Sequence, residues 1–204
     1  MTQVKRALSF ERARNDVLYF YRWLGYASGT HIDEWMEMYG NRKGSHVHRV
    51  CIIAPRSHSK STTLGVKLLH QCLFDKFNGE PLQVWLFSAS RDTAIRRLSE
   101  IRNDLTKHKE LSRYLDSKKG GKLELFFTNG AVIRCSSVGS AIRGEHPARI
   151  ILDDVLDDSG DMSDEVVRNW FRKKMTPMLS PDTSIFVVGT PLALTDLYHT
   201  EMLN

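Results

Sequence analysis

Lys60, Ser61, Asp153 and Asp154 are the residues of this 204-residue chain best placed to do chemistry. Lys60 and Ser61 lie in Ala54-Pro55-Arg56-Ser57-His58-Ser59-Lys60-Ser61-Thr62, between an apolar run (Val50 to Ile53) and a segment with helical spacing (Leu64, Leu68, Leu69, Cys72, Leu73). A strand, a loop and a helix in that order are the setting of a phosphate-binding P-loop. The first helical turn has N–H groups without intrahelical partners, and its positive dipole end attracts an anion. A Lys there reaches the β- and γ-phosphates of ATP, and the next hydroxyl ligates Mg²⁺. Lys60 and Ser61 fit those two roles, with Pro55, Arg56, Ser57, His58, Ser59 and Thr62 completing the nucleotide loop. Ala54 and Ser59 stand where the usual G-x-x-x-x-G-K-[ST] pattern has glycine, so an ordinary polar strand–turn–helix is the alternative reading.

A second strand-like run, Arg149-Ile150-Ile151-Leu152, ends in Asp153-Asp154. An Asp at a strand end holds Mg²⁺ directly or through water, and a neighbouring carboxylate positions the attacking water. Asp153 is the metal candidate and Asp154 the water candidate. A third run, Thr183 to Val188, leads into Gly189-Thr190-Pro191. Ligands of α/β sheets bind at the carboxyl ends of strands, which is where all three polar groups fall. Arg143, in Ala141-Ile142-Arg143-Gly144, is presented on a glycine-containing loop and could neutralise phosphate charge in its own site or a neighbour's. A surface salt bridge is its alternative.

The elements that must position these groups alternate. Spacing predicts a helix over 9–24 capped by Ser9, an amphipathic segment over 31–39, and a polar loop over 40–48. The P-loop helix is predicted to run to about Phe77, with a turn at Asn78–Pro81. A buried strand follows over 82–88. A helix over 91–108 carries Arg96, Arg97, Arg102 and Lys107 on what reads as a solvated face. Lys118–Lys122 reads as a flexible basic linker. Asn129-Gly130 predicts a hairpin with a two-residue turn between strands 123–128 and 131–136. Ser163 caps a helix to about Met175. The expectation is an α/β fold with a largely parallel sheet, helices on both faces and an added antiparallel hairpin.

Composition is that of a globular protein, 41% hydrophobic and 26% charged. No run approaches the roughly 18 apolar residues of a membrane span, and the N-terminus lacks a signal-peptide core. Three scattered cysteines read as thiols in a reducing compartment. The eight histidines show no metal-ligand spacing. A net charge of +5 points weakly to an anionic partner.

Over about 30–200 the motifs resemble the large terminase subunit, the ATPase that packs DNA into tailed-phage procapsids. The resemblance rests on A-P-R-S-H-S-K-S-T, L-F-S-A-S-R, A-I-R-G-E-H-P-A-R-I-I-L-D-D and V-V-G-T-P followed by D-L. It implies a RecA/ASCE-like P-loop NTPase of residues 1–204, with 1–47 an N-terminal helical, adenine-side segment and 48–204 the P-loop core. It implies ATP and Mg²⁺ as ligands. Arg56 would contact the γ-phosphate in cis, and Asp153 would be the metal-associated Walker B Asp. Asp154 would stand for a catalytic Glu, one methylene shorter. Arg143 would be a finger reaching the next subunit. Gly189, Thr190 and Pro191 would form the coupling motif, whose Thr senses the γ-phosphate. His31 to Trp35 falls where adenine is contacted. The implied partners are duplex DNA, a homo-oligomeric ring docked on the portal, the portal itself and the small terminase subunit, in the host cytoplasm. The C-terminal nuclease domain of such proteins is not expected within these residues, nor is part of the lid subdomain. A helicase-like ATPase and a non-catalytic nucleotide-binding assembly module are the competing readings.

Overall fold

The computed structural model describes residues 3–40, 43, 47–140, 146–156, 163–192 and 196–202. Six strands form one sheet: β1 (Arg49–Ile53), β2 (Gln83–Ser88), β3 (Glu124–Phe126), β4 (Val132–Ser137), β5 (Arg149–Asp153) and β6 (Ser184–Gly189). Their order is β1-β6-β5-β2-β4-β3, parallel throughout except for β3 against β4. β5 and β6 are buried along their whole length, as strands covered on both faces must be, while β1 at the edge alternates.

One face is covered by α1 (Gln3–Asn15), α2 (Val17–Trp23), α3 (Thr30–Met38), α4 (Lys60–Phe74) and α5 (Arg91–Lys107), whose buried Phe20, Met36, Leu64, Leu68, Leu98 and Ile101 meet Ile52, Leu86, Ile151 and Phe186 of the sheet. The short α6 (Lys109–Ser112) follows α5. The other face is covered by α7 (Asp164–Trp170), the wide turn Phe171–Met175 and Tyr198, which pack on Phe87, Ile150, Leu152 and Val187. The expected parallel sheet with helices on both faces is therefore present.

Several boundaries differ from expectation, each for a local reason. The helix expected over 9–24 is two helices. Asp16 leaves the helical region (φ −130°, ψ 111°) and its carboxylate caps α2 by accepting from Tyr19 N at 2.8 Å. Ser9 sits inside α1 and pairs with the Tyr19 hydroxyl instead of capping. α4 stops at Phe74 because Asp75 is extended, and Phe77 and Glu80 close a tight turn over left-handed Asn78 and Gly79.

The hairpin exists, but Leu125 faces Ile133 and Phe127 N donates to Ala131 O. The connection is thus three residues, Thr128 to Gly130, with Gly130 at φ +90°. β4 is fixed by its parallel partner β2, and Asn129 Nδ2 reaches across to the Cys72 carbonyl of α4 at 2.8 Å. The turn adapts to those anchors. The 118–122 stretch is not a free linker, because Arg102 donates to the Gly121 and Glu124 carbonyls and Gly121 N to Glu124 O. The cysteines are free, Cys72 and Cys135 buried and Cys51 half-buried.

At the start of β5 and under α4 lies a buried group of basic side chains. Arg149 bonds Gln71 and covers the Phe186 ring at 4.4 Å, Lys67 bonds the Gly40 carbonyl, and His70 Nε2 lies 3.0 Å from Arg14 O. Burial, with the Arg149 charge second, pushes Lys67 down to about 8; burial likewise pushes His70 down to about 3. A lysine with a lowered folded-state pKa holds fewer protons than the unfolded chain between about pH 8 and 10.5, so its contribution to stability rises with pH there. Lys67→Met should therefore compare more favourably with wild type at pH 7 than at pH 10, by on the order of 1–3 kcal/mol in denaturant titrations. The opposite trend would contradict the burial of a charged Lys67.

Candidate nucleotide-binding site

The strands β1, β6 and β5 are neighbours and parallel, so their carboxyl ends lie side by side. Backbone bonds tie those ends together: Ala54 N to Gly189 O at 3.1 Å and Asp154 N to Val188 O at 2.9 Å. The 56–62 loop and Asp154 thereby wall one cleft of about 430 Å³ with Arg96 and Arg97, Thr190 lines the adjoining cleft beside Arg56 and Asp154, and Asp153 lies behind Ser61 and Arg97.

At the second missing glycine the loop uses a left-handed serine, Ser59, and a further one stands at Ser57. Ser57 (φ 65°) and Ser59 (φ 61°) occupy the left-handed region, Ser59 immediately before α4. Ala54 is not among the left-handed residues. Each such non-glycine residue costs roughly 1–2 kcal/mol. Asp154 is a third, at φ 45°, so three of the four described non-glycine residues with positive φ surround this cleft. Strain held at one place by surrounding structure is characteristic of functional sites.

Lys60 is buried, and its Nζ donates to Thr190 Oγ1 at 2.8 Å and lies 3.7 Å from Asp154 Oδ2. Thr190 Oγ1 in turn donates to Asp154 Oδ1 at 3.2 Å. The hydroxyl donates to the Asp154 carboxylate and accepts from the Lys60 ammonium, using both of its capacities in one line. Ser61 Oγ donates to Asp153 Oδ1 at 2.6 Å, the short length of a charge-assisted bond. Asp153 is 2% exposed, and burial pushes its carboxyl above the ordinary range against the opposing pull of Arg97 and Ser61.

Ser61 and Asp153 offer hard oxygen donors at the cleft, which suits Mg²⁺ held by one or two protein groups plus phosphate oxygens and water. Among the described residues no cluster of three or more His, Cys, Asp or Glu could hold a metal by itself.

Gly189 is required by close approach: a Cβ there would overlap the Tyr198 ring, whose hydroxyl accepts from Leu156 N at 3.4 Å. Tyr198 thus presses on Gly189, at the end of β6, from the far face of the sheet. Pro191 follows Thr190 and is exposed. His31 stands beside the loop, its ring 6.0 Å from His58 and 5.1 Å from Trp35. Arg56 lines the cleft. Arg143 lies outside the described residues.

One member of the site has no counterpart among the sequence expectations. Arg97, expected on a solvated helix face, donates from Nε to Asp153 Oδ2 at 2.7 Å and pairs with Glu100 at 3.0 Å. It is the immediate neighbour of Arg96 on the helix, and only the packing of α5 on β2 and β4, next to β5, brings it to Asp153.

No family model matches the sequence, and no curated protein does either. Solved structures share the fold. The large terminase of bacteriophage HK97 superposes with a TM-score of 0.58 at 14% identity, over 84% of this chain and 35% of that one. A mutant of the Thermus phage P74-26 large terminase ATPase domain gives 0.59 at 17% identity, over 86% and 70%. The large terminase of a thermophilic bacteriophage in complex with ATP-γ-S gives 0.54 at 12% identity, over 93% and 41%. The chain thus spans about a third of the HK97 protein but most of the length of an isolated terminase ATPase domain.

Gly189→Ala should force the Tyr198 ring aside, since the added methyl group would overlap it. The expected loss is about 1–3 kcal/mol of stability by chemical denaturation. In a Tyr198→Leu background the same Gly189→Ala change should cost much less than in the wild type; an equal cost in both backgrounds would contradict the contact.

Proposed function

We infer that this chain is the ATP-hydrolysing domain of a DNA-packaging motor of the large-terminase type, residues 1–204 forming one such domain. The observation that carries the reading is the meeting of Lys60, Ser61, Asp153, Asp154 and Thr190 at three adjacent strand ends, on a fold shared with terminase ATPase domains.

The N–H groups at the start of α4 and the Lys60 ammonium receive the triphosphate. Ser61 and Asp153 would hold Mg²⁺, which would neutralise charge building on the phosphate oxygens. Asp154 Oδ1 and Oδ2 orient water toward the γ-phosphorus and take its proton. Its shorter side chain is compensated by the left-handed backbone, which turns the carboxylate into the cleft beside Lys60. Arg56 acts on the γ-phosphate in cis, and Arg143 acts in trans from a neighbouring subunit of a ring. His31 and Trp35 supply the adenine side, next to His58.

Thr190 couples. Its hydroxyl bridges Lys60 and Asp154, so a phosphate that draws Lys60 away changes the bond at Thr190 and is felt along Gly189–Pro191. Duplex DNA is the substrate moved, gripped through its phosphates with strong salt dependence. The portal and small terminase subunit are the partners of the ring, in the host cytoplasm. Among the described residues no helix is long and apolar enough to cross a membrane.

The test is calorimetric titration with Mg·ATP, alongside single-turnover hydrolysis in the assembled state. Lys60→Ala should lose binding. Asp154→Asn should keep binding and lose roughly 10²–10⁴ in turnover. Binding that survives Lys60→Ala would refute the site. Binding by the wild type without turnover in any assembly state would favour a nucleotide-binding assembly module.

A further inference from the structure

The second oxygen of Asp153 is held by a residue that the nucleotide reading leaves without a role. The carboxylate is 2% exposed and has two neighbours. Ser61 Oγ–H donates to Oδ1 at 2.6 Å, and Arg97 Nε–H donates to Oδ2 at 2.7 Å. Arg97 is itself anchored, its Nη1 donating to Glu100 Oε2 at 3.0 Å one helical turn further along α5. Its side chain is 22% exposed and lines the cleft beside the phosphate loop.

The geometry has a consequence at Ser61. A carboxylate bonded at one oxygen only can rotate about its Cβ–Cγ bond and exchange its two oxygens. With Oδ2 fixed by a directional guanidinium N–H, Oδ1 is committed to Ser61. A serine hydroxyl has one proton and two lone pairs. With that proton turned back onto Asp153, what it offers on its remaining side is oxygen lone pairs alone, the form in which a hydroxyl can meet a hard cation. The line Glu100–Arg97–Asp153–Ser61 thus runs from the exposed surface of α5 to the hydroxyl in the first turn of α4.

We propose that Arg97 is a positioning residue for Mg²⁺: through Asp153 it sets the hydroxyl of Ser61 to act as a metal ligand, and so sets the metal affinity of the site without itself touching the ion. The inference rests on the nucleotide reading of this cleft. Partners that orient metal-binding groups from one shell out are worth about 10–100-fold in metal affinity. A role as a phosphate-binding cation is the rival, since Arg97 also lines the cleft, and it makes a different prediction.

The experiment is binding of a fluorescent ATP analogue to the full chain, first in EDTA and then as Mg²⁺ is titrated in. Arg97→Met keeps the aliphatic stem and removes every donor. Arg97→Lys keeps a charge but loses the fixed Nε–H direction, and it decides the matter if the Met variant fails to fold. Both are expected to raise the Mg²⁺ concentration for half-maximal enhancement by about 10-fold or more, Lys less than Met, with any loss of binding in EDTA much smaller than that shift. An unaltered Mg²⁺ midpoint would overturn the proposal. So would an equal loss of binding in EDTA, which would make Arg97 a phosphate contact. Failure of the nucleotide reading itself would be visible in the wild type, as no analogue binding at all, whereas failure of this proposal appears only in the variants.

Discussion

A single hydroxyl ties the cleft together. Thr190 Oγ1 accepts from Lys60 and donates to Asp154, so the loop after β1, the acid after β5 and the segment after β6 share one short chain of hydrogen bonds. That chain exists only because β6 lies between β1 and β5 in parallel register, with Ile53 facing Gly189 and Asp153 facing Val188. The strand order is therefore the constraint on which the chemistry depends. Burial of Lys60 strengthens it, because a charge removed from water is tolerated only with close partners.

The rest of the fold holds those three ends in place. α4 and α5 cover one face, and α5 returns Arg97 to the buried Asp153. The turn and Tyr198 lie on the opposite face, and Tyr198 presses directly on Gly189, where a methyl group has no room. Ser57, Ser59 and Asp154 accept left-handed backbone around the cleft, a strain that the packed elements on either side maintain.

Much of this was legible in the sequence, and the limits have physical causes. Apolar runs leading into the 54–62 loop, Asp-Asp and Gly-Thr marked three strand ends, because central parallel strands are buried on both faces and betray themselves by continuous hydrophobicity. Local patterns could not give strand order, on which the meeting of Lys60 with Thr190 depends. Arg97 was hidden for a similar reason: it shares a helix with Arg96 and Arg102, and nothing in its own neighbourhood distinguishes a buried ion pair from a solvated one. Asn129-Gly130 announced a hairpin correctly but not its register, which β2 and the end of α4 impose from a distance. Asp16 showed the converse, a capping residue concealed within an otherwise helical periodicity.

The most direct test is a crystal structure with Mg²⁺ and a slowly hydrolysed ATP analogue. The account predicts the phosphates against residues 56–61, Lys60 Nζ drawn from Thr190 toward them, and the metal beside Ser61 and Asp153. A triphosphate bound elsewhere, with the Lys60–Thr190–Asp154 chain undisturbed, would contradict it.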